Sequence, residues 1–202
     1  MRTVLLTLLC CSIGPAATLG QPAEDPELRA QLESLFPGAE SFSAKEGNPP
    51  HFKAFGAPGE DGEPALLGLA YWTTELEPLE RAYDGPIKML VGMDTRGELT
   101  GIIVTDHREP YGYFSIELPE FVEQFESKSV REPFRVGDDI DAITRATVTV
   151  TSASRAVRNS SRRVARAYLT PPEATENTAR QIPGGIYIEM EDIGHFPMSE
   201  NY

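Results

Sequence analysis

The chain has 202 residues, about the size of one domain, and with 40% hydrophobic residues it can bury a core without a metal or disulfide staple. Its 31 Asp and Glu against 18 Lys and Arg give a formal net charge of −13, which argues against nucleic-acid binding through a net basic surface and against charge-driven docking on anionic lipid. The 17 Gly and 17 Pro follow no period, so the composition points to a loop-rich domain containing β-structure and away from collagen or a coiled coil.

Residues 1–20 carry one positive charge, Arg2, ahead of an apolar run over 3–13. Gly14-Pro15 breaks the run and small residues follow. This is the layout of a secretory signal peptide, with cleavage expected near 17–20. The run is shorter than the roughly 20 apolar residues of a spanning helix; an uncleaved anchor is the alternative. Both cysteines, Cys10 and Cys11, lie inside this segment. The mature chain is therefore expected to lack thiol chemistry, Cys-ligated zinc, iron–sulfur clusters and disulfides. The expected location is a bacterial periplasm.

Residues 26–36 place Leu28, Leu32 and Leu35 at i, i+4 and i+7 between Pro26 and Pro37-Gly38, which predicts a short amphipathic helix. Residues 37–64 read mostly as loop, with a short strand at 51–55, and 65–73 is an apolar strand. Residues 86–94 and 98–106 are two more strands, joined by the hairpin signal Asp94-Thr95-Arg96-Gly97. Residues 118–127 set Leu118, Phe121, Val122 and Phe125 on one helical face. A second helix is predicted over 152–169, with Ala153, Val157, Val164 and Tyr168 inward. Its other face carries Arg155, Arg158, Arg162, Arg163 and Arg166, and the four from Arg158 on are expected to pair with the acidic remainder of the protein. From 170 a Pro-containing acidic tail begins, with one short strand signal at 186–190. The order gives an α+β fold, a small antiparallel sheet with packed helices. The chain divides into a signal peptide (1–20), an N-terminal helix and Gly/Pro-rich segment (21–64), a main domain (65–169) and the tail (170–202).

His51, His107 and His195 lack metal-ligand spacing, and no GxSxG, GxGxxG or P-loop is present. Glu109 beside His107 reads either as an acid–base pair or as a polar loop after a strand. The most unusual stretch runs from Asp141 to Ser152, with five hydroxyl residues in positions 144–152, directly before the second predicted helix. Such hydroxyls cap free backbone amides, and a helix start also favours a phosphate. Both readings are open on residue chemistry alone.

The segment Asp141-Ala142-Ile143-Thr144-Arg145-Ala146-Thr147-Val148-Thr149 resembles the flavinylation motif of the FMN-binding domain family, Asp-x-x-(Ser/Thr)-Gly-Ala-(Ser/Thr)-x-(Ser/Thr). Two more blocks agree. Ala82-Tyr83-Asp84-Gly85-Pro86-Ile87, followed by a strand and by Asp94-Thr95-Arg96-Gly97-Glu98-Leu99-Thr100-Gly101, is similar to the family's hairpin. His107-Arg108-Glu109-Pro110-Tyr111-Gly112 stands at its Glu-Thr-Pro-Gly-x-Gly loop. The resemblance covers about residues 65–169 and is nearest to the periplasmic domain of the nitrous-oxide-reduction flavoprotein NosR. Arg145 departs from the pattern's Gly, the residue indifferent to positive φ, and Tyr111 departs in the third block. NosR-like chains continue into membrane helices and ferredoxin-type cysteine motifs. A freestanding or separately encoded domain is expected here.

The resemblance implies FMN as cofactor, attached through its phosphate to Thr147 by a separate flavin transferase that releases AMP from FAD. Asp141, Thr144, Ala146 and Thr149 would flank the attachment site. Asp141 is either recognised by that enzyme or caps a turn. The phosphate would lie near the start of the predicted helix, with Arg155 adding charge-assisted bonds. Trp72, Tyr83, Tyr111 and Tyr113 are candidates for packing the flavin ring, and Asp84, Gly85, Pro86, Glu109, Pro110 and Gly112 for approaching its edge. The implied role is a periplasmic electron carrier rather than an enzyme with its own substrate. Its redox partner would be a cytochrome or a membrane electron-transfer complex, in nitrous oxide respiration or a similar chain. The alternatives are a regulatory or maturation partner whose domain senses redox state or carries no flavin, and a flavin-dependent reductase.

Overall fold

Five strands form one antiparallel sheet in chain order, sandwiched between a short N-terminal helix and a long C-terminal one. The computed structural model describes residues 25–59 and 62–169. The signal-peptide reading and the strand signal at 186–190 lie outside the described residues.

Helix α1 spans Pro26–Leu35. Asp25 caps it by accepting the Glu27 N–H at 2.9 Å, and Pro26 sits in the first turn, where a missing N–H costs nothing. The strands are β1 (Ser41–Phe42), β2 (Phe52–Pro58), β3 (Pro64–Trp72), β4 (Lys88–Asp94) and β5 (Leu99–Asp106). β2 is longer than the 51–55 expected, and β1 carries too few residues to show a period. The β4–β5 hairpin turns through Asp94-Thr95-Arg96-Gly97, as the sequence predicts. Asp94 stabilises it by accepting the amides of Arg96 and Glu98 at 2.8 and 2.9 Å.

Alternation along the strands splits the core in two. Leu69, Tyr71, Met89, Val91 and Met93 enter one apolar cluster, while Ala70, Trp72 and Leu90 enter the other with Leu32, Leu35 and Phe36. The α1 face depends on close approach. A Cβ on Gly92 would lie 3.2 Å from Leu35 and 3.3 Å from Phe36, and one on Gly68 would lie 2.7 Å from Phe36. The absent side chains are what let α1 sit on the strands.

The opposite face is covered by α2 (Pro119–Val122), a 3-10 turn at Glu123–Phe125, and α3 (Thr147–Tyr168). The helix expected over 118–127 is thus shorter and changes pitch at Glu123. Phe121 and Phe125 are fully buried, but Leu118 is exposed. Ala153, Val157 and Val164 point into the core as expected. Tyr168 does not: its ring packs on His51 at a centroid distance of 4.2 Å, and its hydroxyl donates to the Pro49 carbonyl at 2.9 Å. That contact ties the end of α3 to the loop before β2.

Candidate functional site

The hydroxyl-rich segment is the first turn of α3. The helix starts at Thr147, five residues earlier than the sequence pattern suggests. Ala146 is its N-cap residue and has no side chain to cap with, so no side chain satisfies the leading amides. Just before it, Arg145 holds φ at 70°. This is the left-handed region, which costs a residue with a Cβ roughly 1–2 kcal/mol. Arginine thus holds here a conformation that a glycine would adopt without that cost.

Residues 145–149 form one wall of a cleft of about 520 Å3. Tyr83, Pro110 and Tyr111 form the other. All three sequence blocks meet there, although 64 residues separate Tyr83 from Thr147 in the chain. Tyr83 is 76% and Tyr111 54% exposed, so each presents a ring to the cleft without being packed in the core. Val148, 59% exposed, adds an apolar surface that the motif does not announce, because it sits between the motif hydroxyls. Thr147 is exposed, and its hydroxyl bonds to nothing among the described residues.

Glu109 holds the blocks together. Its buried carboxylate accepts the Asp84 backbone N–H at 2.8 Å through one oxygen and the Thr149 hydroxyl at 2.6 Å through the other. A charged acceptor with two donors makes strong bonds in a low-dielectric setting. Glu109 and His107 are not joined through their side chains. The Glu109 amide donates to His107 Nδ1 at 3.1 Å, which leaves the proton on Nε2, where it is donated to Glu117 at 2.6 Å. Gly112 packs under the same ring: a Cβ there would lie 2.1 Å from it. The third block is thus a folded loop whose polar groups fix the cleft wall.

Other candidates fall outside the cleft. Asp141 is exposed, and its amide donates to Gln124 Oε1 at 2.6 Å; its carboxylate caps no turn. Thr144 is also exposed. Gly85, at φ 114°, lies under the Arg108 guanidinium, and Pro86 faces a different hollow. Trp72 belongs to the α1 face of the sheet, where Lys88 Nζ sits 4.4 Å from its ring centre, so it cannot pack a ligand in this cleft. Tyr113 packs on Phe114 at a centroid distance of 3.9 Å and does not line the cleft. Arg155 pairs with Glu80 at 3.5 Å, two turns along α3 from the helix start.

Residues 82–162 match the family described as FMN-binding domain. The chain carries an FMN-binding domain. Over 110 residues it is 28% identical to a subunit of the ion-translocating oxidoreductase complex of Vibrio parahaemolyticus serotype O3:K6 (strain RIMD 2210633). That alignment covers 50% of this chain and 49% of the relative, so the chain matches about half the relative's length. The FMN-binding domain includes all three blocks that line or brace the cleft.

The cleft fits FMN, the cofactor of this domain, on its own chemistry. An uncapped helix start offers free amides to a phosphate. Arg145 adds a guanidinium on the same wall, and the two tyrosine rings and Val148 supply flat apolar surface for a ring system.

Proposed function

We propose that this protein carries FMN covalently on Thr147 and works outside the cytoplasm as an electron carrier for a membrane redox complex. One observation carries the reading. The cleft gathers Tyr83, Tyr111 and the 145–149 turn around an exposed threonine hydroxyl, unbonded among the described residues, at a helix start with no side-chain cap. The sequence motif supports the attachment point, and the segment 1–20 supports export. The relative's place in an oxidoreductase complex supports the choice of partner. The wording of the 83–87 and 107–112 segments supports a place in nitrous oxide respiration as the finer reading.

A threonine hydroxyl is a weak nucleophile, so a separate transferase must activate it. In the balanced step, Thr147 Oγ1 attacks the FMN-side phosphorus of FAD. The anhydride P–O bond breaks, AMP leaves with its electron pair, and the hydroxyl proton passes to the transferase. The product is a phosphodiester on Thr147. When bound, FMN supplies reversible electron transfer.

The chain's own residues do the rest. The α3 start and Arg145 hold negative charge, Tyr83 and Tyr111 flank the cleft, and Glu109 keeps the two walls in register. The left-handed φ of Arg145, a conformation open to glycine, supports attachment over the alternative of an unflavinylated regulatory domain.

Intact mass tests the proposal, using protein made with and without a coexpressed flavin transferase. The expected result is a gain of one FMN less water, dependent on the transferase and absent in Thr147→Ala. An unmodified mass with the transferase present, or a gain that survives Thr147→Ala, overturns the attachment.

A further inference from the structure

Farther along α3, a second hollow of about 440 Å3 lies between the helix and the segment 73–80. Arg158, Arg162, Arg163 and Arg166 line it; 158/162 and 162/166 are i,i+4 neighbours on the helix and 163/166 are i,i+3 neighbours. The sequence suggests that they pair with the protein's excess of acid. Among the described residues none of the four forms an ion pair within 4 Å, in a chain with 31 Asp and Glu.

The nearest acids are occupied. The Glu80 carboxylate accepts from Asn159 Nδ2 at 2.6 Å and pairs with Arg155, and Glu77 accepts the Leu79 amide at 3.1 Å. Two of the arginines are fixed without being neutralised. Arg162 donates to the carbonyls of Val130 at 2.9 Å and Glu132 at 2.7 Å, and Arg163 donates to the Glu77 carbonyl. Arg158 makes only a 3.2 Å bond to its neighbour Asn159, and Arg166 makes none to the described residues. Two held guanidinium groups and two uncommitted ones around one hollow form a preorganised anion receptor.

We propose that this hollow binds a small soluble phosphate ester or diphosphate. Guanidinium forks match phosphate oxygens in pairs, and the volume lies in the range of small-ligand sites. The net charge of −13 repels an anionic membrane as a whole. Glu77 and Glu80 also line the hollow, so four guanidinium groups stand against two carboxylates, one of which already pairs with Arg155; the rest of the protein's acid is screened beyond about 8 Å at physiological salt. The site shares no lining residue with the flavin cleft and stands whether or not Thr147 is flavinylated.

The test is titration calorimetry on the full flavin-loaded chain with pyrophosphate and with AMP at physiological salt. It compares wild type, Arg158→Gln/Arg166→Gln, and Arg29→Gln as a control for charge alone. The two hollow arginines chosen hold no other described segment in place, and an unchanged flavin spectrum and melting temperature verify the fold. Saturable one-to-one binding is expected, weakened about tenfold or more in the double variant and unchanged in Arg29→Gln. No saturable binding overturns the proposal, as does equal binding by wild type and the double variant. Capture by phosphatidylglycerol vesicles without pyrophosphate or AMP binding overturns it as well.

Discussion

The two faces of the sheet are built on different terms. The α1 face is sealed by Leu32, Leu35, Phe36, Phe42, Phe52, Trp72 and Leu90, an apolar cluster with glycines beneath the helix. The α3 face buries polar groups as well: Tyr71 donates to Ser161 at 2.8 Å, and Glu109 joins Thr149 to Asp84. Burial pushes the Tyr71 phenol well above its usual pKa, so it stays a neutral donor. Apolar packing suffices where a face only has to stay shut. Directed bonds appear where walls from distant segments must meet at a fixed spacing, and that face carries both the flavin cleft and the arginine hollow.

Truncating the sealed face should produce the largest stability loss without touching the site. Phe36→Ala should cost about 3–4 kcal/mol in denaturant unfolding, while flavin loading of the protein that remains folded stays normal. A parallel loss of loading would break the division between the faces. Glu109→Ala should cost about 2 kcal/mol, because it strands the Asp84 amide and the Thr149 hydroxyl. Unlike Phe36→Ala, it should also slow flavinylation under conditions where the protein is fully folded, as read by mass against time.

Acid should loosen the α3 side first, through the segment 128–139 that α3 holds by way of Arg162. The Ser129 amide and Lys128 hold the Glu132 carboxyl below its usual value. Partial burial raises Asp139, but the amides of Arg135 and Phe134 together with Lys128 outweigh it, and the net shift is also downward. A depressed carboxylate contributes stability above its unfolded value near 4, and that contribution disappears as pH falls through the folded value. Hydrogen exchange around 128–139 should therefore accelerate below about pH 4, and Asp139→Asn should flatten the dependence.

The smallest effect expected is a gain. Arg145→Gly relieves the left-handed strain but frees the unfolded chain, for a net of about 0.5–1 kcal/mol. Thermal unfolding reads it, and unchanged flavin loading would show that arginine there is neutral for attachment.

Much of this is legible in the sequence because it is local. The β4–β5 hairpin follows from two apolar runs and a four-residue turn, and α1 from its leucine spacing and flanking prolines. The motif at 141–149 names its threonine by order alone. The sequence pattern puts the start of α3 too late because Thr147, Val148, Thr149 and Val150 are β-branched and read as strand, with weak helix propensity. Burial of Thr149 and Val150 against the core overrides that preference. Trp72 is expected in the wrong neighbourhood because aromatic type does not tell which face of a strand a residue occupies.

Residue order alone carried the β4–β5 hairpin, the FMN-binding blocks and the excess of acid over base. Those depend on residue type and short spacing. Folding across the chain set the rest: Glu109 clamps Asp84 to Thr149, Arg145 holds a left-handed φ, and the four arginines of the hollow form no ion pair among the described residues. The Glu109 clamp and the Arg163 contact join segments 25 and 86 residues apart, and pairing at that range is set by packing rather than by sequence neighbours.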